Sequence, residues 1–128
     1  LEGREPISVV ASHEVAEMLV DPGDNLWCVG PKGRFYAYEV CDPVEQEQFT
    51  LDGIPMSDFL YPAYFQKRHG SRSAQFDYLK RIKRPFQVLS GGYSIVRTRG
   101  RKSTLLGSRA KERRFKAEDR RFHRSEYR

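Results

Sequence analysis

The chain has 128 residues, a length suited to one domain of ordinary size. Apolar residues make up 38%, about 46% with glycine, which excludes global disorder, and no apolar run approaches the roughly 18–20 residues of a membrane span. The net charge of +6 averages two unlike parts: residues 97–128 carry 13 Lys and Arg against four Asp and Glu, a net +9, while residues 1–96 carry 10 against 13, a net −3.

The first residues lack the basic-then-apolar layout of a signal peptide. The chain does not start with Met, so a domain incomplete at its N-terminal side is expected, with a cytoplasmic or virion-associated location. Residues 7–11, ISVVA, are short, β-branched and apolar and read as a buried strand. Ser12 then caps a short helix over 12–20, with Val15, Met18 and Leu19 at helical spacing. Asp21-Pro22-Gly23 ends it.

Residues 25–29 and 34–40 read as a hairpin around Gly30-Pro31-Lys32-Gly33. A second hairpin joins 48–51 to 54–57 through Asp52-Gly53, the pair a type I′ turn requires, with Pro55 pushing its strand to a sheet edge. The aromatic-rich stretch 59–65 is expected to be irregular and packed on the core. A loop follows over 67–74, then a short helix over 75–84 with Phe76, Leu79 and Ile82 inward and Lys80, Arg81, Lys83 and Arg84 solvated. Residues 86–89 and 93–96 read as strands around a tight turn at Ser90-Gly91-Gly92. Cys28 and Cys41 are too few for a disulfide framework and read as buried free thiols. The fold class is therefore a small mixed α+β domain over 1–96, with β-hairpins, a short helix carrying the site and a basic C-terminal tail over 97–128.

That tail holds Arg97, Arg99, Arg101, Lys102, Arg109, Lys111, Arg113, Arg114, Lys116, Arg120, Arg121 and Arg124, interleaved with Phe115, Phe122 and Tyr127. It is too polar to order itself and is expected to be flexible or ordered against a partner, either nucleic acid or an acidic protein surface. No recognition-helix or zinc-finger pattern accompanies it.

The residues with most chemistry are Ser12-His13-Glu14-Val15-Ala16-Glu17. On a helix His13 and Glu17 share one face, the spacing of the H-E-x-x-H zinc motif with Glu17 in place of the second histidine. Glu14 then takes the general-base position toward the attacking water. A carboxylate is an acceptable zinc ligand, and a third ligand must come from elsewhere. Glu39 is the choice, at the end of the strand that follows, where Glu39 and Cys41 would share one strand face and Val40 and Asp42 the other. Asp21 and Asp42 stand as carboxylates that orient the histidine or as alternative ligands. His13, Glu14 and Glu17 would equally make an ordinary solvated helix face.

The run from Ser12 to Pro22 resembles the S-H-E-x-x-E-x-x-x-D-P signature of a zincin-like group of bacterial and phage proteins, as do Glu39-Val40-Cys41-Asp42-Pro43, Ser57-Asp58-Phe59 and Gly91-Gly92-Tyr93. More remotely it is similar to the EXORDIUM-type proteins and to secreted zincin-like proteins, which carry an H-E-x-x-E helix, a downstream Trp and an E-[IV]-x-D element. Trp27 and Glu39 to Asp42 stand in that order here. The resemblance covers residues 7–96 and implies a metallopeptidase-like hydrolase acting on a peptide or protein. It implies Zn²⁺ or another divalent metal on His13, Glu17 and Glu39, with Glu14 as base. Mn²⁺ and Ca²⁺ stay open, because one histidine and two carboxylates form a harder donor set than zinc usually takes. The other class of function is a non-enzymatic structural or assembly protein, a virion or nucleoprotein component that docks through its basic tail.

Overall fold

The computed structural model describes residues 6–67 and 74–107. It begins with helix α1, Ile7–Val20, so residues 7–11 are helix and not the expected strand. β-branched residues lower helix propensity by only tenths of a kcal/mol each, and packing overrides that. Pro6 stands at the N-cap with its carbonyl accepting the N–H of Val9 and Val10. Ser12 is an interior residue that donates to the Val9 carbonyl and accepts the N–H of Ser57. Asp21 ends the helix, as its sequence context implied.

Four antiparallel strands follow in one sheet, β1 (Trp27–Val29), β2 (Phe35–Ala37), β5 (Tyr93–Thr98) and β6 (Arg101–Leu106), in the order β1-β2-β5-β6. Between β2 and β5 the chain makes a separate two-stranded hairpin, β3 (Gln48–Leu51) and β4 (Ile54–Ser57). Its register pairs Leu51 with Ile54 across Asp52 and Gly53, both at positive φ as a type I′ turn needs. With two strands, each is an edge, which accommodates Pro55. Helix α1 packs on β4. The protein is thus a small mixed α+β domain, one helix and six strands among the described residues.

The strand order decides where the tail begins. β5 continues past Val96 to Thr98, and β6 pairs with its whole length, so residues 97–106 belong to the sheet. Residues 108–128 lie outside the described residues, as do 68–73 of the expected loop.

Two expected elements are absent. Residues 75–84 form no helix: both carboxylate oxygens of Asp77 accept backbone N–H groups, from Arg81 and Ile82. Lys80 adopts φ 59°. A side chain that takes its neighbours' N–H groups competes directly with the helix. Residues 86–89 form no strand, because Phe86 turns to φ 62° and sinks its ring between Tyr36 and Tyr64. The main core gathers Tyr36, Val44, Tyr64, Phe65, Phe86 and Val96, so the 59–65 stretch supplies core as expected. Cys28 and Cys41 are free thiols, Cys41 fully buried. No helix among the described residues is long and apolar enough to cross a membrane.

Candidate metal centre

Helix α1 is inside out. Its buried residues are Val9, His13 and Glu17, whereas Ile7, Met18 and Leu19 are 88%, 58% and 79% exposed. The chain therefore turns a histidine and a carboxylate inward at the expense of its own apolar side chains. Burying ionisable groups costs several kcal/mol unless partners meet them, and partners do. The Nε2 of His13 stands 3.0 Å from Oε1 of Glu17, one helical turn on, and 3.0 Å from Oδ1 of Asp42, 29 residues away. His13 and Glu17 are each 3% exposed and Asp42 not at all, which removes the solvated-face reading.

Asp42 arrives by way of the loop after β2. The chain leaves the sheet at Ala37, where the Glu39 N–H bonds back to the Ala37 carbonyl. A short 3-10 turn, Asp42–Val44, then closes the loop. Strand alternation therefore stops before Glu39, and the expected separation of Glu39 from Asp42 onto opposite faces does not arise. Oxygens of Glu17, Glu39 and Asp42 all lie within 4.8 Å of one another. Asp42 is the carboxylate beside His13 Nε2, and Glu39 lies near both Asp42 and Glu17. Glu14, half-buried, also comes within 4.8 Å of His13 and Glu17.

Glu39 belongs to a second group too, within 4.8 Å of Asp21 and Asp24. Asp21 accepts the N–H groups of Asn25 and Leu26 and thereby ties the end of α1 to the approach to β1. Asp24 was not singled out from the sequence; its place in the turn after Pro22-Gly23, at φ 50°, is the only local sign of it.

Gly92 holds the Asp42 turn from behind. A Cβ there would collide with the Pro43 carbonyl and crowd that of Asp42. The tight turn expected at Gly91-Gly92 is present, with Gly91 at φ 83°, but the contact that requires Gly92 is long-range and invisible in the sequence.

Charge in this cluster is tightly coupled. Burial alone would lower the His13 pKa, but hydrogen bonds and charge from Asp42 and Glu17 outweigh it and push the group up to about 11. Burial and the charge of Asp42 push Glu17 up to about 7, with His13 pulling the other way. The proton on His13 thus occupies the point on which the two carboxylates converge. The fit to a divalent cation follows from that point. Nitrogen and oxygen donors about 2.0–2.2 Å from a tetrahedral ion sit about 3.3–3.6 Å from one another, a few tenths of an ångström wider than the 3.0 Å contacts of His13. One imidazole with three carboxylates also suits a hard or borderline cation. The donors fit. Searches of family models, curated proteins and solved structures find no match to this chain.

Proposed function

We propose that the protein is a metal-dependent hydrolase, with a divalent cation, Zn²⁺ in the first instance, held by His13, Glu17 and Asp42 and flanked by Glu39. The carrying observation is the convergence of Glu17 and Asp42 on one nitrogen of His13, 3.0 Å from each, in a buried cluster assembled from α1 and the loop after β2. A cation bound there supplies polarisation of a carbonyl and a lowered water pKa. The chain supplies the rest. Helix α1 fixes His13 and Glu17 one turn apart, the 3-10 turn backed by Gly92 fixes Asp42, and Glu14 lies beside them with part of its surface open to solvent. In this reading Glu14 takes a proton from water and returns it to a leaving amine. The proposed substrate class, a peptide or protein, rests on the resemblance to zincin-like proteins.

The test is metal content and turnover together. Wild type dialysed against Zn²⁺ or Mn²⁺ is expected to retain about one ion per chain, and Glu17→Gln and Asp42→Asn, which conserve volume, to lose it. Glu14→Gln is expected to keep both ion and fold while hydrolysis of a mixed peptide library drops by about 100-fold or more. Wild type that retains no ion sinks the reading and leaves His13, Glu17 and Asp42 as a buried structural ion-pair cluster.

A further inference from the structure

The end of the four-stranded sheet remote from the acidic cluster is strongly basic. Strands β1 and β5 run the same way in the sheet, so the β1–β2 and β5–β6 turns emerge side by side at one end. That end gathers Lys32, Arg34, Arg97, Arg99, Arg101 and Lys102, and residues 29–35 and 97–107 hold no Asp or Glu. Cross-strand register places Val29, Phe35, Arg97 and Lys102 in a row on one sheet face. The Arg97 guanidinium lies over the Trp27 ring, 4.7 Å from its centroid. Phe35 and Val29 are 45% and 51% exposed. Arg34 and Arg101 fall on the opposite side of the same end by strand alternation, and Lys32 and Arg99 sit at the two turn tips.

The turn tips add an independent sign. Lys32 and Arg99 adopt φ 59° and 49°, each followed by a glycine at positive φ. This is the left-handed conformation in which Asn and Asp are favoured. The β3–β4 turn, in the separate two-stranded sheet, has Asp52 at the equivalent place with φ 50°. Long cations thus stand where local backbone chemistry favours short polar residues.

We propose that this end of the sheet binds single-stranded nucleic acid, with Lys32, Arg34, Arg99 and Arg101 neutralising phosphates and Phe35 offering a ring for a base to stack on. Cations at the turn tips and on the far side of the end, with a half-exposed ring on the near side, suit a strand that crosses the end of the sheet and stacks a base on Phe35. The proposal is independent of the metal centre.

The experiment is fluorescence anisotropy of the full chain with a labelled 20-nucleotide oligo(dT), titrated from 50 to 300 mM KCl. Binding that weakens steeply with salt is expected. Replacing the four cations together (Lys32→Asn, Arg99→Asn, Arg34→Gln, Arg101→Gln) should cost more than tenfold at 100 mM and flatten the log–log salt slope by about 2–3. Phe35→Ala should cost about fivefold or more at an unchanged slope. Chemical-shift changes in the wild-type protein on adding the oligonucleotide should centre on residues 29–35 and 97–102, which needs no substitution. Four outcomes overturn the proposal: no binding at 50 mM KCl; shifts confined to 108–128 or to the acidic cluster; a quadruple variant that binds like wild type; or equal affinity for polyglutamate of matched charge with no effect of Phe35→Ala.

Discussion

Asp58 and Asp77 show how this chain handles a carboxylate away from the metal centre. Both are fully buried. Asp58 accepts the N–H groups of Phe59 and Leu79, while Asp77 accepts those of Arg81 and Ile82, so the pair organises the irregular segment that replaces the expected helix. Burial first, then the hydrogen bond and charge of Asp77, push Asp58 up to about 8, against an ordinary 3.8. The folded protein thus binds this proton more tightly than the unfolded chain does. Linkage then gives a stability that is full below about pH 4 and declines as pH rises toward 8. Asp58→Asn keeps an acceptor for the two N–H groups and supplies a permanent donor to Asp77. It should therefore come closest to wild type in urea unfolding at pH 4, already exceed it at pH 5, and exceed it most at pH 9. A stability difference that stays constant from pH 4 to pH 9 would show that Asp58 does not hold that proton.

Helix α1 carries the lesson at the next scale. Val15, Met18 and Leu19 lie at helical spacing, the periodicity of a buried face, yet all three are about half-exposed or more. Hydrophobic periodicity located the helix but misplaced its start and its buried side, because long-range contacts with Ser57 and Asp42 set the rotation. The i, i+4 spacing of His13 and Glu17 was the better guide to the inward face, since both are buried there one turn apart. Leu19→Gln should accordingly change stability by no more than about 0.5 kcal/mol. Val9→Ala, on the buried side, should cost about 1.5–2.5 kcal/mol in the same unfolding measurement. The β3–β4 hairpin was legible to the residue because Asp52-Gly53 is a local signal. Asp42 was legible only as an alternative to Glu39, since it meets His13 through a loop that abandons strand alternation at Glu39.

Across the whole molecule, β2 joins two poles: it starts at the basic sheet end and its exit leads into the acidic cluster. The acidic pole is the expensive one. Glu17, Glu39 and Asp42 are each 3% exposed or less, and burial with the charge of Asp42 already pushes Glu17 up to about 7. Net stabilities of domains this size are only about 5–15 kcal/mol, so a cation that neutralises the cluster should register as stability as well as activity. With free ion at about 100 times its dissociation constant, mass action adds about 2.7 kcal/mol. In a domain of about 100 ordered residues that amounts to a rise of about 10 °C or more in the thermal midpoint. Scanning the wild-type chain in excess Zn²⁺ and in EDTA should reveal that gap. Asp42→Asn should show little of it, having one buried charge fewer to neutralise and one ligand fewer to offer. Equal midpoints for wild type in EDTA and in Zn²⁺, Mn²⁺ and Ca²⁺ would mean that the proton on His13 already does the cation's work, and that the cluster is structural.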